Sequence, residues 1–243
     1  MKNRIYGSNI NISSTNVNEF WKHRSRDEGL QSVLLGKSCN NVEQNHRNEV
    51  EKKLLLSLLE KHSKFSNKLS VLDLGCGIGR WYVNLKDHVE YYTGIDASFN
   101  FIKESKDHFK NEKNCNFCQC NLENLKSSSF KNKYDLVIIT GVLMYINDNF
   151  IGKILSELLD IVKTSGAFYI QESVSTLSER LTLDKFYSSD LNCDYSAIYR
   201  TENEYKTFFK TFLNKFSISD EGILLDESSG ARAETNAMYW YVS

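Results

Sequence analysis

"VLDLGCGIGRWY", residues 71–82, sets a strand-like run directly before Gly75, Gly77 and Gly79. The chain has only 12 glycines in 243 residues, and three of them fall within these five positions. Glycine loses more backbone freedom on folding than any other residue, so the cluster costs stability unless the geometry needs it. Strand, glycine turn and helix in that order form the place where a parallel α/β sheet lets a ligand lie against bare backbone.

Outward from this turn the chain alternates. β-rich runs stand at 68–75, 89–97, 115–120, 134–142 and 166–173. Between them, 80–88, 98–110 and 147–163 read as helices, with an ambiguous piece at 122–130. Such alternation forces parallel pairing with helices on both faces. "DLVIITGVL" is apolar without alternation, as a strand buried on both sides should be. A helix at 201–213 and two late strands near 216–224 and 236–243 complete the pattern, the strands close enough to pair as an edge hairpin. The expected fold is a doubly wound, mostly parallel, seven-stranded Rossmann-like α/β sheet with that antiparallel hairpin and an N-terminal helical cap. Residues 1–65 read as arm and cap, with a helix at 45–63 and a loose, polar opening at 1–15. Residues 66–243 read as one α/β domain with a lid insertion at about 172–205, a connection long enough to be functional.

Hydrophobic residues make up 41% and charged residues 25%, the balance of an ordinary globular protein. A net charge of −1 argues against a general grip on nucleic acid or anionic lipid. The opening lacks an apolar run of signal-peptide length and no stretch reaches spanning length, so a cytoplasmic location is expected. The six cysteines are then free thiols. "CNFCQC" offers three sulfurs, but alternation in a strand sends Cys118 to the face opposite Cys115, so strand packing is favoured over zinc. No metal is expected.

Two carboxylates sharpen the glycine turn. Asp73 sits in the strand end, where a charge is costly unless something donates to it; an ammonium would suit and a pyrophosphate would not. Asp96 ends the second strand, where a carboxylate can accept from both hydroxyls of a ribose. The ligand therefore carries an amino-acid end and a nucleoside end.

"VLDLGCGIGR", "YYTGIDAS" and "YDLVIITGVLMYIND" resemble signature motifs of the class I S-adenosylmethionine-dependent methyltransferases, in order and spacing from about Lys68 onward. The resemblance implies that Asp73, Gly75, Cys76, Gly77 and Gly79 hold the methionine portion and Asp96 the ribose. By the same likeness Ala97 and Ser98 flank the adenosine, and Thr140 and Gly141 line the passage to the methyl group. The usual acidic residue after the third strand is replaced in "CQCNLEN", so Asn121, with backbone beside Leu122, takes the adenine side or simply caps a turn.

The acceptor site is built from whatever covers the crevice. Candidates from the first segment are Trp21 and Arg24, with Arg26 and Lys37 near them. The lid supplies Arg180, Tyr187, Tyr195, Tyr199 and Arg200, a polar lining suited to a hydroxylated or anionic small molecule. Candidate general bases are His23, with His46 behind it, Tyr145 and Glu172. The expected activity is methylation of an oxygen or nitrogen of a small hydroxylated metabolite. The arm also resembles, weakly, the cap of protein amino-terminus methyltransferases, and a non-catalytic scaffold is the alternative of a different class. Oligomeric state is left open.

Overall fold

Ahead of the strand that leads into the glycine turn stand β1 (Arg4–Tyr6), α1 (Ser14–Arg24) and α2 (Asn41–Lys61). Then follow β2 (Leu69–Leu74), α3 (Arg80–Leu85), β3 (Val89–Asp96), α4 (Phe99–His108), β4 (Cys115–Gln119), β5 (Tyr134–Thr140), α5 (Asp148–Ile161) and β6 (Val162–Ser175). The chain ends with β7 (Leu181–Ser188), β8 (Cys193–Tyr199), α6 (Glu202–Phe212), β9 (Ile218–Ile223) and β10 (Thr235–Val242). These come from a computed structural model that describes residues 3–26, 29–34, 41–62, 68–189, 191–224 and 234–243. Lys37 and Cys39 lie outside the described residues.

The main sheet has seven strands in the order β4-β3-β2-β5-β6-β10-β9. β2 to β6 are parallel, and β10 runs antiparallel to both β6 and β9. The order reverses at β2, with β3 on one side and β5 on the other, so the crevice opens at the carboxyl ends of β2, β3 and β5. Each central strand is apolar on both faces because each face is covered. Leu72, Leu74, Val137 and Ile139 join one core with α5 and α6. Val71, Leu136 and Ile138 join another with α2 and α3. α5 docks through Ile151, Ile154, Leu155 and Leu158, spaced at one helical stripe. α6 starts on a capping box, with the Thr201 hydroxyl and Glu204 carboxylate exchanging bonds with backbone N–H groups. On the edge strand β4, Phe117 is buried and Cys115 packs beside that core, while Cys118 is exposed. Among the described residues no helix is long and apolar enough to cross a membrane.

Two expectations are corrected. The stretch at 172–205 is not an open loop: β6 continues to Ser175, and β7 and β8 then pair antiparallel. The polar opening is not loose throughout either, since β1 adds to β7 through Arg4↔Leu183 and Tyr6↔Leu181 and makes a second, three-stranded sheet. Period-two patterns in "LTLDKFYS" and "CDYSAIY" carry the hairpin, and its inward residues Leu181, Leu183, Tyr195 and Ala197 pack with Phe20 of α1. Residues 122–124 and 127–129, ambiguous in sequence, are single 3-10 turns.

Candidate functional site: a cofactor cleft roofed by the first helix

The glycine turn needs its glycines for different reasons. Gly75, Gly77 and Gly79 all have positive φ, at 72°, 53° and 80°, where other residues are strained. A Cβ on Gly75 would lie 2.3 Å from a Val142 methyl, and one on Gly79 2.7 Å from the Phe109 ring. Gly75 thus admits the loop after β5, and Gly79 admits the packing of α4 and β4. A Cβ on Gly77 would meet Val33 at 2.7 Å, so the arm also occupies space beside the turn.

Asp96 braces this turn. Its Oδ2 accepts the Gly77 N–H at 3.0 Å and its Oδ1 the Ser98 N–H at 2.7 Å. A carboxylate offers about four acceptor positions, so two remain for hydroxyls entering the cleft. Burial raises the Asp96 pKa above the ordinary value, against the two N–H bonds that lower it. Asp73 lies deeper, fully buried, with the Tyr92 hydroxyl donating to Oδ2 and no partner on Oδ1. Burial pushes its pKa up to about 7. That orphan acceptor is what a bound donor would satisfy.

The cleft beside these groups has a volume of about 560 Å³, within the range of small-molecule sites. Gly75, Gly77, Asp96, Ala97, Ser98, Asn121, Leu122, Thr140 and Gly141 line it, whereas Asp73, Cys76 and Gly79 do not. Asp73 lies beneath the turn, while Cys76 and Gly79 belong to the turn and pack inward. The Cys76 thiol bonds weakly to the Gly77 carbonyl, and burial raises its pKa well above normal. Asn121 caps the turn, accepting the Glu123 N–H at 3.0 Å, and it also lines the cleft. Thr140 is fixed by the Trp81 indole, whose N–H donates to Oγ1 at 3.0 Å.

The roof is α1. Ser14, Val17, Asn18, Trp21 and Lys22, a single helical stripe, face the cleft opposite Val142, Tyr145 and Ile146. Trp21 meets Tyr145 edge-on at 5.3 Å. The arm is pinned at its start by Asn147, whose side-chain amide exchanges two 2.9 Å hydrogen bonds with the backbone of Ile12. It is pinned at its end by the Asn100 amide donating to the Ser25 hydroxyl at 3.0 Å.

Of the expected acceptor residues that the structure describes, only Trp21 and Tyr145 line the cleft. His23 is exposed, two residues from Trp21 and so off the lining stripe. His46 is exposed on α2 and does not line it either. Arg24, the last residue of α1, is buried. Tyr187 is 59% exposed and donates to Asn192 within the hairpin. Tyr195 and Tyr199 are buried behind Tyr145: the Tyr195 hydroxyl bonds to that of Tyr145 at 2.9 Å, and the Tyr199 hydroxyl donates to that of Tyr195 at 3.4 Å. Arg180 is buried and held by Asp148, Glu204 and Asn9. Arg200 is held by Asp148 and by the carbonyls of Leu143 and Ile146. Glu172 is buried under the loop after β5, with backbone N–H groups on both oxygens. It is no surface base. Asn18, Lys22, Phe99, Phe101, Gln119 and Glu123 were missed; spacing at 14, 17, 18, 21 and 22 was the available signal for the first two.

A family model described as a methyltransferase domain matches residues 65–213. The chain belongs to that family. Phosphoethanolamine N-methyltransferase 1 of Caenorhabditis elegans is 26% identical over 166 residues, covering 68% of this chain and 33% of that protein. An uncharacterized protein of Methanocaldococcus jannaschii is 36% identical over 118 residues, 47% of this chain and 45% of its own. The chain spans about a third of the length of its plant and nematode relatives. Among solved structures, Haemonchus contortus phosphoethanolamine N-methyltransferase 1, in complex with phosphoethanolamine and S-adenosylhomocysteine, superposes with a TM-score of 0.73. It is 16% identical and covers 94% of this chain and 48% of that one. A Leishmania major S-adenosylmethionine-dependent methyltransferase gives 0.71 at 16% identity, covering 95% and 82%. The residues present fit S-adenosylmethionine, the cofactor of such methyltransferases. A carboxylate with spare acceptors stands where a ribose needs one, and an orphan buried acceptor stands beneath the glycine turn.

Proposed function

We propose that the protein methylates a nitrogen or oxygen of a small polar metabolite, a phosphorylated primary amine being the first candidate. The observation that carries this reading is the pocket between α1 and the loop after β5. Its walls are Trp21 and Tyr145, and Lys22 stands at its exposed rim. Aromatic faces attract an ammonium group, and a lysine attracts an anionic one. The names of the plant and nematode relatives favour the same chemistry. A peptide terminus is disfavoured, because α1 crosses the crevice that a peptide would need.

When bound, the cofactor supplies an electrophilic methyl on a sulfonium centre. Asp96 holds the ribose hydroxyls, while Ala97, Ser98, Leu122 and Asn121 enclose the adenine side. Gly75 and Gly77 present bare backbone to the amino-acid end, with Asp73 below. Thr140 and Gly141 border the methyl end. The Tyr145 hydroxyl, already bonded to Tyr195, orients the acceptor by accepting a hydrogen bond from its N–H or O–H. α1 keeps water out.

Calorimetry with S-adenosylhomocysteine tests the first half: the wild type binds, and Asp96→Ala weakens binding tenfold or more. Labelled methyl transfer to phosphoethanolamine tests the second. Failure to label it or any small amine or hydroxyl compound, by protein that binds S-adenosylhomocysteine, refutes the acceptor reading.

A further inference from the structure

The backbone from Gly141 to Ile146 forms the acceptor-side wall of the cleft, yet it is neither strand nor α-helix. Two side chains remote in sequence grip it. Glu172, near the end of β6 and 1% exposed, accepts the N–H groups of Val142 (2.8 Å) and Leu143 (2.7 Å) on Oε1. Its Oε2 accepts the Met144 N–H at 3.2 Å. Arg200, just after β8 and fully buried, donates to the carbonyls of Leu143 (2.8 Å) and Ile146 (2.6 Å) and to Asp148 (2.8 Å). One carboxyl group gathers the donors of the turn and one guanidinium gathers its acceptors. Between them they satisfy peptide groups that no regular ladder satisfies.

Tyr145 rides on this turn, its N–H closing on the Val142 carbonyl at 2.9 Å. The ring then meets Trp21, and the hydroxyl meets Tyr195. Neither Glu172 nor Arg200 lines the cleft, so neither can touch an acceptor. Both determine where Tyr145 stands.

We infer that Glu172 is a positioning residue for methyl transfer: its carboxylate fixes the turn that aims Tyr145 at the acceptor, and Arg200 holds the same turn from the carbonyl side. The inference rests on the methyltransferase reading above. A carboxylate is required because an amide offers one acceptor oxygen and would turn its own N–H groups toward the Met144 N–H.

Glu172→Gln keeps the volume and removes one acceptor. Its test uses the full chain labelled with 3-fluorotyrosine, the Tyr145 resonance being assigned by Tyr145→Phe. The Tyr145 line is expected to shift or broaden in Glu172→Gln while the exposed Tyr187 line stays fixed, with S-adenosylhomocysteine affinity within about threefold of wild type. With phosphoethanolamine as probe acceptor, kcat should fall by about tenfold or more, since small misplacements of aligned groups carry such costs. Adding Tyr145→Phe to Glu172→Gln should cost little further, as expected for two residues acting through one contact. An unmoved Tyr145 line overturns the inference, as do fully additive losses. If Glu172→Gln fails to fold, Glu172→Asp and Arg200→Lys are read by the same resonance, and an unmoved line in both overturns it equally. A wild type that binds S-adenosylhomocysteine but ignores phosphoethanolamine refutes the acceptor reading alone, and the fluorine measurement still decides the role of Glu172.

Discussion

The two halves of the cleft are built by different means. The cofactor half is made of strand ends and backbone: β2 and β3 deliver Gly75, Gly77 and Asp96, and the peptide groups of the turn bond to β3 itself, Gly75 and Cys76 N–H both reaching the Ile95 carbonyl. It stands on the core. The acceptor half is assembled from α1, the turn at 141–146 and the β7–β8 hairpin, and side-chain clasps hold those pieces together. Disturbing the first half should therefore unfold the protein or strip the cofactor. Disturbing the second should spare both and reach only the acceptor.

The largest expected effect tests the frame behind the cofactor half. Glu51 of α2 is fully buried, paired with Arg80 at 2.7 Å and Arg47 at 2.8 Å, and bonded by Gln171 of β6 at 2.9 Å. Glu51→Ala strands two guanidinium groups and should cost about 3–5 kcal/mol in urea unfolding. Burial alone would raise the Glu51 pKa, but Arg80 and Arg47 bring it down to about 2. A carboxylate lowered in the folded state stabilises above its unfolded pKa of 4.5 and loses that contribution as pH falls toward 2. The wild type should thus lose stability steeply between those values, and Glu51→Ala should lose less. Asp73, raised to about 7 by burial, acts in the opposite sense, its contribution fading as pH rises from 3.8 to 7. Asp73→Asn should flatten that limb.

Next comes Asp96→Ala. One oxygen braces the Gly77 N–H of the turn, the other the Ser98 N–H after β3, and both leave acceptors for a ribose, so S-adenosylhomocysteine affinity should fall about 10- to 100-fold, or about 1.4–2.8 kcal/mol. Unchanged affinity would place the cofactor elsewhere. In the acceptor half, Asn147→Ala removes both bonds to Ile12 and should loosen the arm by about 1–2 kcal/mol. Proteolysis should then cut before α1 while global unfolding moves little. Equal losses in both assays would show that the arm is part of the core, and the contrast between the halves would fail.

That contrast also explains what the sequence disclosed. The cofactor half is local: three glycines, Asp73 and Asp96 lie on consecutive elements, the glycines at positive φ and Asp96 accepting the Gly77 N–H. The parallel pairing follows from the alternation of strands and helices, and the late hairpin from two strands close in sequence, whereas the strand order is visible only in the structure. The acceptor half is non-local. Arg180 and Arg200 look like ligands for an anion when read as isolated charges in a supposed loop, but Asp148 and Glu204 already satisfy them. Glu172 at a strand end looks like a base until the turn at 142–144 is seen folded over it. The hairpin was hidden because its alternation is interrupted at Lys185, which has a positive φ of 49° where the register shifts between Leu183 and Phe186. The stripe at 14, 17, 18, 21 and 22 is legible as helix only once Ser13 is recognised as its cap.

The smallest expected effect bears on histidine. His23 is a plausible base by residue type and a poor one by position, since the stripe that includes Trp21 and Lys22 faces the cleft and His23 does not. His23→Ala should leave unfolding within about 0.5 kcal/mol of wild type, as for other exposed substitutions, and should leave the pH profile of methyl transfer unchanged. Trp21→Ala, two residues away, should raise the acceptor KM about tenfold through the lost aromatic wall. If His23→Ala instead removed a limb of the pH profile, α1 would have to turn by about half a rotation on acceptor binding. The bonds from Asn147 to Ile12 and from Asn100 to Ser25 hold both ends of α1 against that turn.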